Sequence, residues 1–349
     1  MHFPDPVAPH PQPYADSLAA LPQRTAAPQS WMVRVADAKY HWYDLINGVA
    51  EQPDIRDPIG RYLRRMQFEL EATAHQRHLF FAITRPRVRF DITGVVQWGF
   101  FSLKLSLPLL VGADAARESI TVELKVPFAA TMKKPTVILT EHFISLNWGG
   151  LVEVFSVHEL LHTHAATLKL PSQVAYVGQT RDAEGRLGKG RLPALHKVRA
   201  QAGMEEDTLI LVLGLDVEVH CADGDPAALP HNAHPPTAEM LAAERIDVIE
   251  AALIRHFEGA TPRQRPLDER QARAARLTAV QTANNLVQYT IDLALPPEAG
   301  GDYSALGSAA AGAASRHLLS CYIVDGQAQV APMPLPAVSK GGKAEAARN

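Results

Sequence analysis

The stretch YVGQTRDAEGR, residues 176–186, decides how the second half of this chain is interpreted. The apolar segment QVAYVG ends at a glycine, and a segment rich in arginine and lysine follows it. This order predicts a strand, a glycine turn and then a helix that carries several positive charges. Cationic side chains beside the free N–H groups of a helix start suit a phosphate group. The stretch therefore predicts a unit that contacts an anionic substrate.

The segments on either side extend this unit. Before it, residues 151–157 (LVEVFSV) predict a strand and residues 158–168 (HELLHTHAATL) predict a short helix. After it, residues 182–202 predict a helix, and residues 208–219 (TLILVLGLDVEV) predict a strand with the apolar core LILVL. Residues 238–257 then show strong helical periodicity. We therefore expect strands and helices to alternate through this region.

The first half of the chain has a different pattern. Residues 58–74 predict a helix, and residues 78–148 contain short β-branched and aromatic runs that predict an antiparallel β domain. The predicted class is α/β of the α+β type, with a small sheet and flanking helices after a β-rich domain. The predicted segments are a disordered arm (1–30), a helix plus β-rich domain (31–148), a second domain (149–262), a helical or mixed extension (263–331) and a disordered tail (332–349).

The second domain, over about residues 150–260, resembles the GIY-YIG endonucleases. In that family the second strand carries a Tyr-Ile-Gly-like tripeptide, and an arginine follows the tyrosine by ten residues. Tyr176 and Arg186 have this separation, and Val177 stands in place of isoleucine. The family continues through a strand to a last helix with a metal-binding glutamate, often as E-x-x-L/I-I. Glu250, in the sequence EAALIRHF, matches that glutamate.

The resemblance implies a divalent-metal-dependent endonuclease that hydrolyses DNA phosphodiesters. Arg186 is then expected to bind the scissile phosphate, and Glu250 is expected to bind Mg²⁺ or Mn²⁺. Tyr176 is expected to position the attacking water or to help deprotonate it. His196 is expected to assist in proton transfer or in phosphate contact. The expected partner is DNA.

The chain also departs from the family pattern at three positions. The strand before YVG offers Phe155, which has no hydroxyl group, where the family has a tyrosine. His196 follows Arg186 by ten residues instead of about one helical turn. The segment HFEGATPRQ, after the glutamate helix, lacks the family asparagine. A catalytically inactive module that only binds nucleic acid is therefore an alternative.

A second motif, HELLH, suggests a different chemistry. His158 and His162 are four residues apart, so on a helix they share one face and can bind one Zn²⁺, while Glu159 can act as general base. This pattern predicts a zinc metallopeptidase, although no third ligand follows at a recognisable spacing. In the other interpretation, Leu160, Leu161 and Leu168 pack the helix between the two strands and the histidines are exposed.

Bulk properties limit the compartment and the partners. The net charge is -3, so the chain is not uniformly basic, although the segment 263–276 could form a local phosphate-tracking surface. Cys221 and Cys321 are far apart, which is not the pattern of a disulfide framework and favours a reducing compartment. The first residues lack the pattern of a signal peptide, and no run predicts a membrane span. We therefore expect a soluble cytoplasmic protein.

Overall fold

The computed structural model describes most of the chain between residues 27 and 335. The described residues are 27–48, 54, 56–72, 78–100, 102–127, 133–164, 168, 170, 172–180, 193–221, 238–260, 265–295, 303 and 305–335. Most of the predicted disordered arm, residues 1–26, lies outside this set, and so do residues 336–349 of the predicted tail.

The described residues form fifteen strands and six helices. The strands are β1 (Gln29–Trp42), β2 (His78–Pro86), β3 (Val88–Phe90), β4 (Gln97–Trp98), β5 (Lys104–Val111), β6 (Ala116–Glu123), β7 (Thr136–Leu139), β8 (Phe143–Asn147), β9 (Val152–Ser156), β10 (Ser172–Thr180), β11 (Glu206–Cys221), β12 (Leu286–Ala294), β13 (Leu306–Gly307), β14 (Arg316–Val324) and β15 (Gln327–Pro332). The helices are α1 (Tyr43–Gly48), α2 (Pro58–Ala72), α3 (Val157–His164), α4 (Pro193–Ala202), α5 (Ala238–Phe257) and α6 (Leu267–Ala283).

The largest sheet has eight strands in the order β13-β10-β2-β11-β1-β12-β14-β15. The pairs β10–β13 and β1–β12 are parallel, and the other neighbours are antiparallel. The runs LFFAI in β2 and LILVL in β11 are buried on both faces, as a central strand requires. Leu209 and Leu211 join the main core, while Ile210 and Val212 join a second cluster with Leu195 of α4.

Two smaller sheets share the apolar core of the large sheet. One sheet contains β3, β5, β4 and β6, and the other has the order β7-β8-β9. Their inward residues, such as Leu107, Ile120 and Leu146, belong to the same core as the large sheet. Helices α3 and α5 contribute Leu161 and Val248 to that core, so one continuous apolar interior connects all of these elements.

The α+β class predicted from the sequence is confirmed. Of the helix predicted over residues 182–202, α4 forms over Pro193–Ala202, and residues 182–192 lie outside the described residues. The helix predicted at 58–74 is α2, and the strand predicted at 208–219 is β11. The extension predicted as helical or mixed contains α6 and four strands, β12 to β15. None of the described helices is long and apolar enough to cross a membrane.

The strand pairing differs from the small sheet expected within residues 149–262. β9 pairs with β8 in the three-stranded sheet, whereas β10 and β11 lie in the large sheet with β2 between them. β2 comes from the first half of the chain, pairs with β10 and β11 at its two edges and is buried on both faces, as a central strand is. The large sheet thus crosses the expected boundary at residues 148 and 149.

Candidate functional site

The YVG tripeptide lies at an edge of the large sheet, where two side chains take the place of a neighbouring strand. β10 pairs with β2 along one side, but it pairs with β13 only at its first two residues. The N–H of Val177 donates to Oε1 of Glu258 at 3.0 Å. The carbonyl of Val177 accepts a hydrogen bond from Nη2 of Arg265. This edge clamp satisfies the backbone groups that would otherwise be unpaired and holds β10 against α5.

Tyr176 and Glu250 lie close together because both contact the guanidinium of Arg265. Cζ of Arg265 is 4.6 Å from the centroid of the Tyr176 ring, and its Nη1 is 4.0 Å from Oε1 of Glu250. Tyr176 is half-buried and Glu250 is 3% exposed. Burial raises the pKa of both groups despite the opposing charge of the arginines. The phenol is therefore protonated at neutral pH and can donate a hydrogen bond.

Glu250 is part of a set of oxygen ligands. Asp247 precedes it by three residues, which is about one helical turn, so the two carboxylates share a face of α5. Nε2 of Gln179 donates to Oδ1 of Asp247 and, at 3.0 Å, to Oε2 of Glu250. Oε1 of Gln179 is buried and has no hydrogen-bond partner within the described part of the chain. We call Tyr176, Gln179, Asp247, Glu250 and Arg265 the Tyr176 centre.

Three arginines neutralise the carboxylates of the Tyr176 centre. Besides the contact of Arg265, Nη2 of Arg273 lies 3.6 Å from Oε2 of Glu250, and Nε of Arg276 lies 3.5 Å from Oδ2 of Asp247. These separations are longer than those of charge-assisted hydrogen bonds, so they are loose ion pairs. The basic segment that the sequence suggested for tracking phosphates thus directs Arg265, which precedes α6, and Arg273 and Arg276, which lie on α6, at carboxylates of α5.

The donor chemistry of the Tyr176 centre fits a hard divalent cation. Among the described residues, no group of three or more His, Cys, Asp or Glu side chains is arranged to hold a metal ion. Mg²⁺, however, commonly uses one or two carboxylates together with water and substrate phosphate. Asp247 and Glu250 supply two carboxylates, and rotation of the Gln179 amide would turn its oxygen toward them. Such a cation would compete with the arginines.

The other two residues expected at the site are not joined to this centre by any described contact. His196 lies on α4, where its Nδ1 is 3.5 Å from the hydroxyl of Tyr43 and its ring makes an edge contact with the Tyr43 ring. The hydrogen bonds and ring contacts of His196 do not include Tyr176 or Glu250. Arg186 lies outside the described residues, so its role in phosphate binding stays a prediction.

The HELLH helix contributes to a second polar group, which is buried beneath it. Nε2 of His158 is 2.9 Å from Oδ2 of Asp207, and its Nδ1 bonds the hydroxyl of Tyr303. Asp207 also accepts hydrogen bonds from the N–H of Val88 at 2.9 Å and from Nη1 of Arg89 at 2.8 Å. We call His158, Asp207, Tyr303, Arg89 and the adjacent Arg85 the His158 cluster.

The protonation states in the His158 cluster follow from burial and from these partners. Burial lowers the pKa of His158, so its imidazole is neutral. Burial opposes ionisation of Asp207, but the hydrogen bonds and charges of His158 and Arg89 outweigh it and hold the pKa of that carboxyl well below its usual value. The neutral ring of His158 therefore donates from Nε2 to the carboxylate and accepts the Tyr303 hydroxyl proton at Nδ1.

A cavity of about 440 Å³ lies between α2, α3 and the end of β1. His158, Glu159 and His162 line one side of it, so the motif does direct three of its side chains toward one space. Glu159 forms an ion pair with Arg65 at 3.1 Å. Burial lowers the pKa of His162 to about 3, and its ring packs against Tyr40 with the two ring centroids 3.9 Å apart.

This arrangement does not favour the zinc site. Both ring nitrogens of His158 are engaged, so a zinc ion would have to displace the hydroxyl of Tyr303 or the carboxylate of Asp207. The interpretation in which the leucines pack is confirmed, since Leu160 and Leu161 are buried. The same interpretation expected the histidines to be exposed. This is wrong for His158, which is only 4% exposed because it bonds two buried partners.

Sequence reasoning missed several residues of these two sites. Asp247 was visible in principle, because a carboxylate three residues before Glu250 must share its helical face. Gln179 directly follows the glycine at which the predicted strand ends, whereas β10 continues through it to Thr180. Asp207 and Tyr303 gave no local signal, because they reach His158 only through the pairing of distant strands.

No protein family, curated protein sequence or solved structure matches this chain.

Proposed function

We propose that this protein is a divalent-cation-dependent endonuclease that hydrolyses DNA phosphodiesters at the Tyr176 centre. The observation that carries the proposal is the convergence of Tyr176 and Glu250 on one guanidinium, with Asp247 and Gln179 beside them. The order of β10, α4, β11 and α5 along the chain also agrees with the strand, helix, strand, helix run that the GIY-YIG resemblance implies.

The residues of the centre have separate tasks in this proposal. Glu250 and Asp247 bind the cation through carboxylate oxygen, and Gln179 orients both carboxylates. When bound, the divalent cation neutralises charge on the phosphate and lowers the pKa of a water ligand. Because burial raises the pKa of Tyr176, its hydroxyl remains protonated and donates a hydrogen bond to the phosphate or the attacking water.

The test is cleavage of supercoiled, linear and branched DNA in Mg²⁺ or Mn²⁺ over a range reaching millimolar concentration, since the arginines compete with the cation. Glu250→Gln and Asp247→Asn should each reduce the cleavage rate by more than the roughly 10–100-fold that loss of an outer-sphere partner costs. Glu244→Gln, on the same helix, serves as the matched control and should retain activity. Circular dichroism checks that every variant is folded.

The outcomes separate the alternatives. Cleavage that survives both substitutions would refute the assignment of the site. DNA binding that weakens with salt, without turnover in any metal, would identify the inactive nucleic-acid-binding module. Peptide hydrolysis lost in His158→Ala, together with stoichiometric zinc, would instead support the metallopeptidase.

A further inference from the structure

Arg85 of β2 is buried, and no acidic side chain among the described residues forms an ion pair with it. Its side chain lies under α3 and is 1% exposed. Nε donates to the hydroxyl of Ser172 at 2.7 Å. The two terminal nitrogens, Nη1 and Nη2, have no hydrogen-bond partner within the described part of the chain. Nη1 and Nη2 carry four buried N–H groups; the Tyr303 hydroxyl lies near enough to interact with the guanidinium, but the described residues supply too few acceptors for all four, which is costly for a charged group.

Aromatic rings offset only part of this cost. Cζ of Arg85 is 3.8 Å from the ring centroid of Tyr303 and 5.2 Å from that of Tyr40. The ring faces attract the positive charge, but they do not replace oxygen acceptors lying in the plane of the guanidinium. The N–H groups at its outer edge still require an acceptor.

The charges around Arg85 do not balance. Arg85 and Arg89 are two cations, and Asp207 is the carboxylate that faces them. Asp207 is already bonded to Arg89, His158 and the N–H of Val88. His158 is neutral. The His158 cluster therefore carries one uncompensated positive charge in an environment where an unpaired charge is strongly disfavoured.

The cavity beside the HELLH helix is lined by residues that also contact Arg85 or Tyr303. The cavity of about 440 Å³ is lined by Tyr40, His158 and His162, each of which also contacts Arg85 or Tyr303. Tyr40 lines the cavity and also contacts the guanidinium of Arg85, which does not itself line the cavity. A small ion entering the cavity thus needs only side-chain rearrangement to approach Arg85.

We propose that Arg85 anchors a buried binding site for one small monovalent anion, either a halide or the carboxylate of a small acid. A monovalent anion would balance the positive charge of the His158 cluster, and it would accept hydrogen bonds from the N–H groups of Nη1 and Nη2. A carboxylate would match the two nitrogens with two parallel hydrogen bonds. This site is separate from the Tyr176 centre and does not depend on the proposed nuclease activity.

The test is thermal unfolding at constant ionic strength, with sodium chloride or sodium acetate replacing sodium gluconate, whose anion is too large for the site. The wild-type protein should show a saturable rise in Tm of about 2–4 °C. A response to chloride alone identifies an inorganic anion, and a response to acetate alone identifies a carboxylate. A Tm that changes linearly, or not at all, with both anions would overturn the proposal.

Substitutions and a second measurement locate the site. Arg85→Gln should remove the saturable rise, whereas Arg87→Gln, at the next arginine along the chain, should keep it. If Arg85→Gln does not fold, a crystal of the wild-type protein grown in sodium bromide decides the question. An anomalous peak at hydrogen-bond distance from the Arg85 terminal nitrogens supports the site. Bromide found only on the surface would mean an adventitious ion only and would exclude a halide. A second crystal, grown in sodium bromoacetate, then tests the carboxylate, and no bound anion at the Arg85 terminal nitrogens in either crystal would overturn the proposal.

Discussion

The carboxylate of Asp207 joins three separate parts of the chain at the scale of single residues. It accepts hydrogen bonds from the backbone of Val88, from Arg89 and from His158 of the HELLH helix. The residue is completely buried, so none of these bonds is replaced by water when one is lost. Asp207 therefore has a larger effect on stability than its position on a strand would indicate.

Asp207→Asn should lower the free energy of unfolding by about 3–5 kcal/mol, because it leaves the guanidinium of Arg89 without its counter-charge. Asp216→Asn, at an exposed position of the same strand, should change it by less than about 0.5 kcal/mol. Urea denaturation measures both variants. A loss below about 1 kcal/mol for Asp207→Asn would contradict the structural role assigned to it.

His41 is a second buried polar residue whose energetics can be measured. It is 2% exposed, neither ring nitrogen has a hydrogen-bond partner among the described residues, and burial lowers its pKa from 6.5 to about 4. The native state thus binds fewer protons than the unfolded state between these two values. Stability contributed by the neutral ring is present above pH 6.5 and is lost as the pH falls toward 4.

The expected loss from His41 is about 3 kcal/mol between pH 6.5 and pH 4, at about 1.4 kcal/mol per unit of pKa shift. His41→Leu should reduce the pH dependence of the unfolding free energy by that amount, while the exposed His220→Gln should leave it unchanged. Denaturant titrations at several pH values give the slopes. Identical slopes for His41→Leu and the wild-type protein would show that His41 does not contribute to the pH dependence of the unfolding free energy.

Individual helices and strands could be predicted from local sequence patterns, whereas the pairing of the strands could not. The LILVL core of β11 and the periodicity of α5 are visible in a short window of sequence, and both elements form. The neighbour of β10 is β2, which lies far upstream and carries no feature that identifies β10 as its partner. Register and pairing depend on which apolar faces meet in the folded chain, and such contacts are not encoded locally.

The C-terminal hairpin was predictable in principle but was not predicted. The dipeptide Asp325–Gly326 lies between the apolar alternation of β14 and that of β15, and both residues have positive φ, at 50° and 69°. This is the backbone of a type I′ turn, and Asp-Gly is among its preferred sequences. The segment just before β14 is rich in small residues, which obscures this signal.

Gly326→Ala should lower the free energy of unfolding by about 2 kcal/mol or more. A Cβ atom there would lie 2.6 Å from the carbonyl oxygen of Ala274 in α6, in a backbone conformation that disfavours side chains. Gly312→Ala is the control, since a Cβ there meets no atom within 4 Å, and it should stay within about 0.5 kcal/mol of the wild-type protein. Thermal and urea unfolding of both variants test the comparison, and equal stabilities would contradict it.

At the scale of the whole molecule, the large sheet is built from both ends of the chain. Its central strands alternate between early and late segments, since β2 lies between β10 and β11, and β1 lies between β11 and β12. The apolar residues on one face of β2 and β11 belong to the main core, and those on the other face belong to the second cluster. Cutting the chain at the expected boundary would therefore expose both faces and both edges of the central strands.

Neither residues 31–148 nor residues 149–349 should fold alone, because each fragment lacks the strands that pair with its own. Both fragments should lack near-UV circular dichroism and dispersed amide resonances, while the intact chain unfolds in one cooperative transition. The two fragments mixed together provide the control for complementation. A separate cooperative transition from either fragment would restore the two-domain interpretation.

The position of β1 has a consequence for biosynthesis. This strand is translated early, yet the segments that flank it, β11 and β12, leave the ribosome much later. At elongation rates of about 5–20 residues per second, β1 waits roughly 10–30 s for β11. During that interval Trp31 and Val33, which are buried in the finished sheet, have neither of these neighbouring strands. A nascent chain of this design is an expected client of chaperones that bind exposed apolar strands during translation.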